Sequence, residues 1–300
     1  MYPNPAQAAV APICPTPKIN ALLVLVSDTE NCLGRGAPAL GAEYEALAGG
    51  LHAIADELQT ISRAKTWQGV AGKMFFAWNL ALSVNLGIIA GIDQKMAPVI
   101  AKQGTEVGIA RNAINAIRND LLLVRAILEK LAEINIESAL SLDSSNALAK
   151  SAEYESIVQS LTATTSTNQA ELSKLCQLLA SYEGRLGMES CMFIPDSTSG
   201  AAMSVDPNNM IEMRSSLNSC LVQLDALSSK AAQNLAHVRL THGTGGITEP
   251  INVSLTRFVG HHESILSAAI DRVSRRESEL MAVNSTYVRR DAEVASILMG

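Results

Sequence analysis

Residues 107–131 read VGIARNAINAIRNDLLLVRAILEKL, and the reading of this run decides the fold. Val107, Ala110, Ile114, Ile117, Leu121, Val124, Leu128 and Leu131 alternate spacings of three and four, the repeat that draws a straight apolar seam down a helix. A seam of this length is a surface for other helices. A second seam with the same spacing lies upstream, at Tyr44, Leu47, Leu51, Ile54, Leu58 and Ile61. Between the two stands Trp67-Gln68-Gly69, so a tight turn there is expected to fold the seams face to face as a helical hairpin.

Working outward, the prolines and charge-poor sequence of residues 1–38 predict an irregular start, with Ile19–Val26 laid as a turn or two of helix against the bundle. The first hairpin then covers about Ala39–Arg63 and Gly69–Asn135, with Pro98 inside the second helix. Asp143-Ser144-Ser145 reads as the N-cap of a third helix that runs to Gly187 and is weakest at the polar, β-branched Thr162–Asn168. Residues 188–205 hold Pro195, Gly200 and a Ser/Thr cluster without periodicity, which makes them the linker.

Beyond the linker, residues 206–300 predict a second hairpin. Asp206-Pro207 starts its first helix, with Leu217, Leu221 and Leu224 on the apolar face, and Thr241-His242-Gly243 begins the turn. Thr248 and Pro250 open the last helix, whose apolar face carries Phe258, His262 and Ile265. The expected fold class is therefore all-α: an elongated bundle of two antiparallel hairpins, 39–187 and 206–300, the first with an additional long helix. Ile114, Ile117, Leu121 and Val124, with Leu217, Leu221, Leu224, Phe258 and Ile265, are the residues expected to pair helices.

Composition narrows the function. Net charge is −6, so the chain lacks the basic field that holds a phosphate backbone, and nucleic acid is not an expected partner. Five scattered cysteines give neither a disulfide framework nor zinc-ligand spacing. His261-His262 point about 100° apart on a helix, so neither a metal nor a cofactor is expected. No nucleophile–base or paired-carboxylate arrangement is recognisable, and the expectation is a protein without enzymatic activity. The first residues lack the basic and apolar regions of a cleaved signal peptide. Met74–Ile92 is apolar enough to consider a membrane, but Asn79, Ser83 and Asn85 interrupt it and favour a buried bundle helix.

Two short motifs remain. Gly69 supplies the backbone freedom of a turn, and the Trp67 indole either covers the end of the bundle or offers itself to a partner. Tyr287 and Asp291 stand one helical turn apart near the C-terminus, as either a seam tyrosine beside a solvated acid or a reachable pair.

In their order and spacing these motifs make the chain resemble the Esp substrates of the actinobacterial type VII (ESX) secretion system. Residues from about 40 to 190 are similar to the EspA/EspE type with its Trp-x-Gly turn. Those from about 203 to 300 resemble the EspC/EspF type, through Val205-Asp206-Pro207, Thr241-His242-Gly243 and Tyr287-xxx-Asp291. The resemblance implies export in folded form, with the Tyr287/Asp291 pair read by the secretion ATPase and machinery beside the Trp67-x-Gly69 turn. It also implies Esp or WxG-type helical partners, or further copies of the chain in an oligomer or filament outside the cell or in its envelope. If the second hairpin packs antiparallel on the first, Tyr287 and Asp291 finish toward Trp67 and the signal forms within one chain. Two other classes fit the composition: a pore-forming subunit that inserts residues 74–92 into lipid, and a cytosolic helical adaptor or chaperone.

Overall fold

A computed structural model describes residues 14–63, 70–188 and 207–299, and nearly all of them are helical. Among the described residues the helices are α1 (Pro17–Cys32), α2 (Ala42–Arg63), α3 (Val70–Ala132), α4 (Ile136–Met188), α5 (Pro207–His242) and α6 (Glu249–Met299), with a 3-10 turn at Gly246–Thr248. No strand occurs among the described residues. The all-α expectation holds.

The spine is the antiparallel pair α3–α4. Helix α3 has 63 residues, about 95 Å at 1.5 Å per residue. It continues through Pro98, which sits on its exposed side where water can satisfy the carbonyl left without a donor. Pairs such as Gln103 Nε2 to Thr165 Oγ1 at 3.0 Å and Lys150 Nζ to Asp120 Oδ2 at 2.9 Å fix the register of the two helices. Because the other helices are shorter, they dress the spine as two lobes with separate cores.

The larger core joins α2, the first half of α3, the last third of α4, α5 and α6 around residues such as Leu51, Leu86, Leu179, Leu224 and Phe258. The smaller joins α1, the second half of α3 and the first half of α4, with Leu33 and with Ile247 of the 3-10 turn packed in. Between them lies a polar layer: buried Gln103 donates to Thr165 and accepts from Asn168 Nδ2 at 3.0 Å. The stretch Thr162–Asn168, read as the weak part of its helix, is where α4 crosses this layer.

Three local expectations are corrected. The α2 seam does not face the 107–131 seam. Twenty-two residues of α2 reach only about 33 Å, so they pair with the first half of α3, as Ser83 Oγ donating to Ala55 O at 2.7 Å records. Ile114, Ile117 and Leu121 are buried and Val124 partly buried, but against α1 and α4. Second, α4 starts at Ile136, capped by Asn135 Oδ1, which accepts the Ser138 N–H at 3.0 Å. Asp143 lies inside α4, buried, and its two oxygens accept the N–H groups of Lys18 (3.0 Å) and Ile19 (3.1 Å), so it caps α1 instead. Third, Thr248 belongs to the 3-10 turn, where its hydroxyl donates to Gly245 O. Helix α1 itself is longer than the turn or two expected. The linker, residues 188–205, lies outside the described residues apart from Met188, the last residue of α4.

Candidate functional site

The two lobes meet where the loop 33–41 passes between α3 and the turn that joins α5 to α6. Thr241, the next-to-last residue of α5, has its hydroxyl bound back to His237 O at 2.9 Å, and the same oxygen accepts the Ala39 N–H at 3.2 Å. His242 Nε2 donates to Ala39 O at 3.0 Å, so one residue of the loop is held on both its backbone groups. The Arg35 N–H bonds Leu240 O at 3.0 Å. From α3, Arg111 reaches the Leu33 carbonyl through Nε at 3.0 Å, the Gly36 carbonyl at 2.5 Å and the Thr241 carbonyl, tying both segments to the spine. Asn252 of α6 closes the set by donating to Gly243 O at 2.5 Å.

Glycine is needed here for two separate reasons. Gly243 has φ +90°, a region L side chains rarely adopt, and a Cβ on it would lie 1.8 Å from Cys32 O. Gly104 on α3 is helical, but a Cβ there would stand 2.2 Å from Ala39 O. Burial holds the His242 imidazole below its ordinary pKa, against the opposing bond to Ala39 O, so the ring is kept neutral as a single donor. The tripeptide Thr241-His242-Gly243 is thus a clasp that fastens the second hairpin to the loop ahead of the first.

Further along, α6 runs antiparallel to α3 and parallel to α4. His262 Nε2 lies 2.8 Å from Asp93 Oδ2 of α3, both side chains essentially inaccessible to solvent. Phe258 stacks on the His262 ring and meets the edge of Tyr44 from α2. Burial, and then the charges of Asp93 and Glu43, push the Tyr44 phenol far above its usual range, so it stays protonated. Arg276 lies over the ring of half-buried Trp78, 3.0 Å from its centroid. On the α4 side, His261 Nδ1 bonds Glu183 Oε2 at 2.7 Å and Ser264 donates to Glu183 Oε1 at 2.6 Å, which hold that carboxyl below its usual range. The adjacent histidines therefore each take a separate carboxylate, on different helices.

The pairing residues of the second hairpin are in place: Leu217, Leu224, Phe258 and Ile265 are fully buried in the larger core and Leu221 is partly buried against it. Trp67 and Gly69 lie outside the described residues. Tyr287 and Asp291 belong to α6, and nothing further is described of their side chains. Sequence reasoning missed Arg111 and Asp93. Arg111 stands one residue past the seam position Ala110, and Asp93 reads as the charged flank of an apolar run; neither position announces a long-range partner.

Of the four thiols described, Cys14 is exposed, Cys32 is half-buried, and Cys176 and Cys220 are buried. Burial pushes the Cys220 thiol up to about 12 and raises that of Cys176, so both are unreactive.

Residues 33–116 match the model of the EspA/EspE family. That segment holds the clasped loop, α2 and the first three-quarters of α3, including Asp93 and Arg111. No curated protein and no solved structure matches the chain.

Proposed function

We propose that the protein is a non-enzymatic substrate of a type VII secretion system, exported as a folded helical unit. Residues 33–116 supply its EspA/EspE-like part, and residues 206–300 act as an EspC/EspF-like partner carried on the same chain. The export signal is composite, with Tyr287 and Asp291 read by the secretion ATPase beside the Trp67-x-Gly69 turn. The observation that carries this reading is the family match over 33–116, whose loop is the one the Thr241-His242-Gly243 clasp grips.

Register adds support. From Asp93 back to Trp78, α3 covers fifteen residues while α6 advances fourteen from His262 to Arg276. Continued at that rate, the level of Val70, the first residue of α3, falls at about Asn284 of α6, which supports a location of Tyr287 toward the N-terminal end of α3. Helix α6 packs chiefly on α4 and α5 and reaches α3 through His262 and Arg276, so the shortness of α2 is no obstacle.

A pore-forming role draws less support. Helix α3 is long and apolar enough to cross a membrane. Insertion of 74–92 would require Phe75, Leu82, Leu86 and Ile89, all buried in the larger core, to leave it. Measuring the protein in the medium and the cells of a bacterium with the cognate secretion system tests the proposal. Tyr287→Ala and Asp291→Ala are each expected to hold it in the cell at unchanged abundance; undiminished export of both variants would overturn the signal.

A further inference from the structure

The spine is dressed unevenly. In the larger lobe α2, α5 and α6 cover it, whereas in the smaller lobe α1 is the one helix that does, joined by Ile247 of the 3-10 turn, on the side of α3 where Arg118 meets Glu30. Turned away from α1, α3 carries a second stripe at alternating spacings of four and three: Ala116, Asp120, Leu123, Ile127, Lys130, and Ile134 in the turn that follows. All six are exposed, Leu123 by 64%, Ile127 by 57% and Ile134 by 86%. Leu142, 44% exposed, stands at the same level on α4 by the register of the Asp120–Lys150 and Gln103–Thr165 pairs. Three large aliphatic side chains in register on one face are not scattered surface residues.

We infer that this face pairs with the same face of a second copy of the chain, the two α3 helices antiparallel about a two-fold axis between Leu123 and Ile127. The stripe is complementary to itself in that register and layer by layer. Leu123 meets Ile127 of the second copy at the centre. One layer out, Asp120 meets Lys130 of the second copy. At the ends Ala116, small, meets Ile134, large. Each pairing occurs twice, as a two-fold axis requires.

Charge fits as well as size. Lys130 makes no ion pair with any described residue, while Asp120, 56% exposed, keeps capacity beyond its bond to Lys150. A parallel arrangement would instead set Asp120 on Asp120 and Lys130 on Lys130, which opposes it. From Ala116 to Ile134 the stripe is about 27 Å long, and with α4 beside it about 20 Å wide, so pairing removes about 1,100 Å² in total, past the ~1,000 Å² a specific interface needs. The pairing is independent of the export reading: it uses no residue of the clasp or of the signal.

Light scattering on the full chain after size exclusion, in reducing buffer so that Cys14 contributes nothing, tests it. At micromolar concentration the protein should elute at twice its chain mass of 31.8 kDa. Ile127→Lys should return it to the monomer with unchanged helical circular dichroism, and Lys130→Glu should weaken association at least about tenfold by setting two acids opposite each other. Leu148→Lys, exposed elsewhere on α4, should leave the dimer intact. A monomeric wild type, a dimer that survives Ile127→Lys, or one lost equally in Leu148→Lys would overturn the inference.

Discussion

His262 on α6 and Asp93 on α3 form a 2.8 Å pair sealed from solvent, and it is the deepest polar link between the second hairpin and the spine. The other carboxylate oxygen and the other ring nitrogen have no hydrogen-bond partner, so each group depends on the one bond it makes. Removing one member strands the other in an apolar core. Asp93→Ala should therefore cost about 3–5 kcal/mol, read as a fall in the midpoint of chemical unfolding. The double variant Asp93→Leu/His262→Leu should recover most of that loss, because it replaces the pair with apolar volume instead of orphaning half of it.

Two glycines separate backbone strain from collision. Gly36 and Gly243 both have positive φ, +78° and +90°. A Cβ on Gly36 meets nothing within 4 Å, while one on Gly243 runs into the Cys32 carbonyl. Gly36→Ala should cost only the left-handed conformation, about 1–2 kcal/mol. Gly243→Ala should cost more than this and should also open the clasp. Amide hydrogen exchange will show the difference: protection at Ala39 and Arg35 is lost in the second variant and kept in the first.

The clasp also titrates. His242 is buried with its pKa below the ordinary 6.5, a direction set by desolvation and reinforced by the Arg111 charge, with Glu43 and the bond to Ala39 O opposing. Between the folded and unfolded values the unfolded chain binds the extra proton. Stability contributed here is present above pH 6.5 and is lost as pH falls below it toward the folded value. His242→Gln keeps a donor for Ala39 O but cannot titrate, so unfolding midpoints measured across that range should show a shallower pH slope than the wild type.

Much of this arrangement is legible in the sequence because seams report which residues are buried. Tyr44 to Ile61, Leu217 to Leu224 and Phe258 to Ile265 all lie where their spacing puts them, and His262 was placed on the buried face by the same pattern. Periodicity does not say what covers a seam, which is why Val107–Leu131 reads as a partner of α2 and is in fact packed on α1 and α4. The acidic cluster at Asp143 fails for a related reason. A short acid signals that some helix N-terminus wants it, and here that terminus is α1, 124 residues upstream in sequence. The clasp is half visible: Thr241-His242-Gly243 marks a turn, but its receptor, the backbone of Ala39, has no side-chain signature at all.

The central claim is that folding brings position 287 to the reversal between α2 and α3 within a single chain. Replacing Tyr287 with a photo-crosslinking phenylalanine analogue, irradiating the full-length protein and mapping the product by mass spectrometry tests it most directly. The account predicts a product of monomer mass in which position 287 is joined to the tryptic peptide 66–73, which carries Trp67 and Gly69. Crosslinks to α1 or to the turn between α3 and α4, with none to 66–73, would contradict it.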